Sequence, residues 1–237
     1  MSQLKAVIFG AIGTIAETSD LQRQAFNAAF AAAGLDWHWD TQTYKTLLNT
    51  NGGQHRLQTY RNADPARAGV SDGLIAELHQ AKTDQYVDIL KRIQLHPRPG
   101  VVDLISDCKR MDVDVAFCTS TSMDNVAAIG EALADVLPFG QFKLIVTIDK
   151  IKRVKPAPDA YLYCLDQLGL TAAQVVAIED TPVSIAAARA AGIVTIATPG
   201  ATTSDQDFSS ANVVIPDLAG MNVTKLSSLL QSHSHQK

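Results

Sequence analysis

Short, almost continuous apolar runs recur along this chain, separated by stretches with helical spacing. No other feature constrains the fold as much. The runs are Ala6 to Phe9, Val113 to Cys118, Leu144 to Thr147, Val175 to Ile178 and, after a glycine, Val194 to Ala197. Strands this uniformly apolar must be covered on both faces, which is the situation of parallel strands between two helical layers. Helical stretches at Pro99 to Arg110, Met123 to Leu133 and Ala160 to Leu168 supply those layers. The expected fold class is α/β, a doubly wound parallel sheet with right-handed crossovers.

Local signals set the boundaries. Thr171 with Gln174 has the spacing of a capping box and predicts one short helical turn before a strand. Thr181 followed by Pro182 reads as an N-cap with proline at the first helical position, and Gly192 is placed to end that helix. Between about Ser19 and Ile93 the alternation breaks. Ala25, Phe26, Ala29, Phe30 and Ala33 recur at helical spacing and stop at Gly34. Asp40 to Leu48 predicts a second helix and Ser71 to Ile93 one or two more; the segment between, Asn49 to Arg56, is polar and contains Gly52-Gly53. Trp37 and Trp39 are expected in the core of this insertion. The division is therefore 1–17 with 97–237 as an α/β core domain, and 18–96 as a helical cap.

Composition enters by exclusion. A formal net charge of -4 argues against a nucleic-acid surface, and the densest basic stretch, Lys150 to Lys155, reads as a solvated loop. No apolar run approaches the roughly 18 residues a membrane helix needs. The three cysteines have no CxxC spacing, so neither a disulfide framework nor a zinc knot is suggested, and Cys118 reads as a small buried hydrophobe. Strand one starts almost at the N-terminus, without the charged and apolar regions of a secretory signal. A reduced cytoplasmic setting is the expectation.

Ligands of open parallel sheets bind beyond the carboxyl ends of the strands. Here those ends carry Gly10-Ala11-Ile12-Gly13-Thr14, then Thr119-Ser120-Thr121, then Lys155-Pro156, then Glu179-Asp180-Thr181. A hydroxyl, an ammonium and two carboxylates would converge on one crevice, with loop amides and helix N-termini as further anion donors. Singly, each residue has a plainer role: Thr119 as a helix-entry hydroxyl, Lys155 as a surface lysine, Glu179 and Asp180 as caps. Their shared placement and order make the constellation specific.

With these stretches in view, the chain resembles the haloacid-dehalogenase superfamily, in the branch with a helical cap inserted after the first motif. Within that branch it is similar to β-phosphoglucomutase-like, CbbY-like sugar-phosphate phosphatases. The resemblance rests on Val7-Ile8-Phe9 with Gly13-Thr14, on Val115 to Ser120, on Val154 to Asp159, on Ala177 to Thr181, and on the cap stretch Gly34 to Asp40. It implies that Thr119 holds a phosphoryl oxygen and Lys155 balances charge, with Gly13, Thr14 and Ser120 lining the phosphate. It further implies that Glu179, Asp180 and the backbone carbonyl of Ile12 hold magnesium. Gly52, Gly53 and Arg56 match a cap loop that reads the distal part of the substrate.

The chain departs from that pattern at its first motif. Gly10 and Ile12 stand where relatives carry the nucleophilic aspartate and the acid/base aspartate, and Gln22 stands where many carry histidine. Glycine offers no atom to attack phosphorus, and isoleucine moves no proton. With one carboxylate gone from its ligand set, the implied magnesium site is weakened. The expectation is a homologue that binds phosphate or a phosphosugar, with little or no turnover. The alternatives are an active magnesium-dependent phosphatase of non-standard chemistry, in which Glu17, Asp20 or a metal-bound water substitutes, and a structural or regulatory partner protein. No nucleic acid or membrane is expected as a partner.

Overall fold

A computed structural model describes residues 3–10, 12–50 and 52–234; Ala11 of the first-strand loop and Asn51 of the cap loop lie outside them. The chain divides into two compact units, Met1–Glu17 with Leu95–Lys237, and Thr18–Gln94.

The first unit is built on a parallel sheet in the order β3-β2-β1-β4-β5-β6. Its strands are β1 (Ala6–Gly10), β2 (Asp114–Cys118), β3 (Leu144–Val146), β4 (Val175–Glu179), β5 (Val194–Ala197) and the short β6 (Val213–Val214). Ala6, Val7, Ile8 and Phe9 of β1 are wholly inaccessible, as a central strand covered on both faces requires. The register places Gly10 beside Cys118 of β2 and Phe9 beside Ile178 of β4, so the carboxyl ends of the three strands lie level. The chain runs from β1 to β2 on one side and later returns to β4 on the other. That makes the β1/β4 boundary the switch point where this fold opens a crevice.

Helices α1 (Ile12–Ile15), α6 (Val101–Arg110), α7 (Met123–Ala132), α8 (Asp159–Leu168), α9 (Pro182–Ala190) and α10 (Val223–Ser234) complete the unit. Thr181 caps α9 as its sequence suggests, accepting from Ser184 N at 3.2 Å, and the Thr171–Gln174 capping box forms around a 3-10 turn. One face of the sheet packs Ile8, Ala116, Cys118 and Val146 against Tyr161 and Cys164 of α8 and Ala187 and Ala188 of α9. All three cysteines are free and buried. Among the described residues, no helix is long and apolar enough to cross a membrane.

The second unit contains α2 (Ser19–Ala32), α3 (Thr41–Leu47), α4 (Gly53–Asn62) and α5 (Asp72–Leu90). Its core is aromatic: Phe26, Phe30, Trp37, Trp39 and Tyr44 cluster with Leu47, Leu57, Ile75 and Leu78. Burying side chains of this size contributes about 1.5–3 kcal/mol each before ordering costs. Asn27 fixes the Trp39 segment from both sides, donating to its carbonyl at 2.9 Å and accepting from its amide at 2.8 Å. The polar segment Asn49 to Arg56 supplies, from Gly53 onward, the first turn of α4, whose only fully buried side chain is Leu57 and whose apolar signal is correspondingly faint. The segment after Ser71 is one continuous helix, capped by the Ser71 hydroxyl on Leu74 N at 3.1 Å.

Candidate active site

The ends of β1 and β4 and the loops after β1, β2, β3 and β4 supply the buried residues Gly10, Thr14, Thr119, Lys155, Glu179 and Asp180. Lys155 lies 3% exposed, and its ammonium donates to Cys118 O at 3.2 Å, Glu179 Oε1 at 3.1 Å and Ser184 Oγ at 3.3 Å. It also lies 5.0 Å from the centroid of the Tyr161 ring. It thereby joins the end of β2, the end of β4 and the first turn of α9.

Glu179 has no exposed surface, and among the described residues its Oε2 has no hydrogen-bond partner. Burial pushes its carboxyl up to about 7; Lys155 pulls it back only partly, and the neighbouring Asp180 opposes ionisation. The same desolvation raises Asp180, against the attraction of Lys155 and Arg98. Both carboxylates lie against glycines. A Cβ at position 10 would overlap the Glu179 carboxylate, and one at position 13 would overlap Asp180 Oδ2. Close side-chain approach, rather than backbone conformation, sets these two positions apart: a side chain at either would require the carboxylate beside it to turn aside.

The hydroxyls follow the loops. Thr14 Oγ1 donates to Asp180 Oδ1 at 3.5 Å. Thr119, buried, accepts from Thr121 N at 3.3 Å, and its amide donates to Val146 O at 2.9 Å. Ser120 Oγ is buried and has no hydrogen-bond partner among the described residues.

Arg98 is the residue that sequence reasoning missed. Its buried guanidinium donates to Gly13 O at 3.1 Å, Thr198 O at 2.6 Å, Pro199 O at 2.9 Å and Pro216 O at 3.2 Å, and its Nε lies 3.7 Å from Glu17. It ties the loop after β1 to the loops after β5 and β6. The signal was present: an arginine between Pro97 and Pro99, where the chain re-enters the first unit, is a fork held on a stiff segment.

The acids considered as substitutes are already engaged. Glu17 accepts from Ala201 N at 3.2 Å beside its ion pair with Arg98. Asp20 accepts from Arg23 Nε at 2.9 Å and Gln24 at 2.7 Å at the start of α2.

In the second unit, Gly52 precedes α4 and the face of Gly53 abuts the His79 ring, where a Cβ would come within 2.7 Å of Nε2. Arg56 is held within its own unit, by Leu47 O at 3.0 Å, Thr50 O at 3.2 Å and Tyr44 Oη at 3.4 Å. Its guanidinium staples α3 to α4.

As folded, the residues implied for magnesium do not fit it. Glu179 is turned toward Gly10 and Lys155, and the Ile12 carbonyl accepts Ala16 N at 2.9 Å in the turn of α1. Among the described residues, no group of three or more His, Cys, Asp or Glu side chains converges on one point. A hard octahedral cation needs several oxygens aimed at one centre.

With this geometry established, comparison with known proteins gives a consistent result. Residues 4–192 match the family model of the haloacid dehalogenase-like hydrolases. Over 217 residues the chain is 43% identical to the protein CbbY of Rhodobacter capsulatus, covering 92% of this chain and 95% of that one. The crystal structure of CbbY from Rhodobacter sphaeroides in complex with phosphate superposes with a TM-score of 0.85 at 35% identity, covering 94% of this chain and 99% of that one. An aspartate-to-asparagine mutant of the same protein, in complex with xylulose-(1,5)bisphosphate, gives 0.87 at 34% identity, with 95% and 100% covered.

Proposed function

Because the chain belongs to the haloacid dehalogenase-like hydrolases and is close to the CbbY proteins, we propose that it binds phosphate or a small phosphorylated sugar with little or no phosphoryl transfer. The observation that carries this reading is Gly10. The end of β1 presents no nucleophile, and the space a side chain would need there is taken by the Glu179 carboxylate. Covalent catalysis loses its attacking atom and acid/base catalysis its proton carrier, since Ile12 supplies none.

What remains suits an oxyanion. Thr14, Thr119 and Ser120 gather hydroxyls at the strand ends, and the Ser120 hydroxyl has no partner of its own. In the Rhodobacter sphaeroides relative, phosphate and xylulose-(1,5)bisphosphate are the bound molecules, the latter in a protein with one aspartate changed to asparagine. We take the same ligand class, inorganic phosphate or a phosphorylated pentulose, as the candidate for this chain. Glu17 and Asp20 are held by Arg98, Ala201 N, Arg23 and Gln24, so neither is poised to replace the missing acids.

The test is a phosphatase panel run on the natural chain beside a Gly10→Asp, Ile12→Asp variant, with calorimetric titration of phosphate and xylulose-(1,5)bisphosphate into both. The expected result is saturable binding without phosphate release by the natural chain. Release by the natural chain that Thr119→Ala abolishes would overturn the non-catalytic reading, and an absence of binding would overturn the ligand.

A further inference from the structure

We propose that Glu179 occupies the volume a side chain at position 10 would take and acts as the internal counter-ion of Lys155, closing the strand-end site to divalent metal. The inference concerns the protein's own carboxylates and stands apart from whether a phosphorylated ligand binds.

Three observations carry it. The Glu179 carboxylate lies where a Cβ on Gly10 would fall, so residues 10 and 179 compete for one space. The Lys155 ammonium meets Glu179 Oε1, Cys118 O and Ser184 Oγ, a lysine whose charge is answered by a carboxylate and two dipoles. The other implied ligands already have partners. Asp180 packs on Gly13 and accepts from Thr14, and the Ile12 carbonyl closes the turn of α1.

A metal ion would need Glu179 to rotate away from Lys155. That rotation would break the 3.1 Å ion pair between Glu179 and the buried ammonium and open a space beside Gly10. The cation would gain one ligand while the protein lost an ion pair, and an ion pair broken inside a protein is costly. With a side chain at position 10, the same rotation would be enforced, because both groups cannot occupy one volume. Glycine at position 10 and the inward Glu179 therefore form a coupled pair, and the metal-free arrangement follows from that pair rather than from the loss of one ligand alone.

Two measurements test this, and neither uses phosphate or turnover. The first is titration of Mn²⁺ into the natural chain, read by the resonance signal of the free aqua ion. No saturable loss of signal is expected. The Gly10→Asp, Ile12→Asp variant is expected to bind at least about tenfold more tightly, the lower end of what reordering a ligand's neighbours does to metal affinity. Stoichiometric binding by the natural chain that Asp180→Asn removes would overturn the proposal, as would equal affinity in the two proteins. The second is a stability cycle on Gly10→Ala and Glu179→Ala. Gly10→Ala alone is expected to lower the unfolding midpoint sharply, and to have little effect when Glu179 is already alanine. Additive effects, or failure of Gly10→Ala to fold even in the Glu179→Ala background, would overturn the proposed competition for space. If Gly10→Ala alone does not fold, the alanine background and the Mn²⁺ titration still decide.

Discussion

Among the described residues each unit buries one lysine, and the two are matched closely enough to compare. Lys155 in the first unit is 3% exposed and Lys82 in the second is 4% exposed. Each lies about one ring away from a buried tyrosine, Lys155 at 5.0 Å from Tyr161 and Lys82 at 5.2 Å from Tyr86. Their other neighbours differ in kind. Lys155 has Glu179 at 3.1 Å and two further oxygen acceptors. Lys82 has the Phe26 ring at 5.1 Å and the positive field of Arg56, and among the described residues it makes no ion pair. Desolvation first, then Arg56, brings the Lys82 ammonium down to about 7 from 10.5, and the same causes with Lys82 itself depress His79. Equal burial thus goes with an ion pair in one place and, in the other, with rings, a like charge and a readily lost proton.

The contrast is broken or sharpened by substitution. The largest effect is expected for Lys155→Met, which removes the ion pair and leaves Glu179 either charged without its partner or protonated; a loss of about 3–5 kcal/mol should appear in urea unfolding at pH 9, where the unfolded chain holds that carboxyl ionised. Lys82→Met should act with the opposite sign. Replacing an unpaired buried cation by an apolar side chain of similar length should raise stability by roughly 1–3 kcal/mol at pH 6. If both substitutions destabilise equally, the two lysines are not different in the way described.

The pH dependence gives the next test. Lys82 has a folded value of about 7, below the ordinary 10.5, so between those values the unfolded chain holds a proton that the folded chain lacks. Stability should rise with pH across that window, and below about pH 7 the full penalty should remain. Unfolding midpoints measured from pH 6 to 10 should show this slope in the natural chain and a flatter one in Lys82→Met. The smallest effect belongs to Tyr161→Phe. Its buried hydroxyl has no hydrogen-bond partner, so removing it should change stability by under about 1 kcal/mol, toward greater stability.

The difference between the two lysines also marks what could be read before folding. Lys155 was legible because it opens a strand-end loop, and such loops meet at one crevice. Lys82 had a signal too: Ile75, Leu78, Lys82 and Tyr86 fall on one stripe of α5, which placed a cation on a buried face. The caps at Thr181 and Thr171 were legible because they are local hydrogen bonds between residues three apart. By contrast, α4 carries too few apolar residues to announce itself, and the two-residue β6 is too short to show alternation. The place taken by Glu179 lay beyond sequence reasoning for another reason. It depends on which way one side chain turns across two neighbouring strands, and no spacing along the chain encodes that choice.

The Gly10–Glu179 contact has a consequence for how this sequence can change. Any single substitution that puts a side chain back at position 10 meets the Glu179 carboxylate before it can meet a ligand. The first step toward a restored aspartate is therefore a step down in stability, and the gain arrives only after Glu179 and Ile12 have also adjusted. Positions 10 and 179 therefore change well only together, and the order in which they change decides whether the intermediate chain holds its strand ends in place.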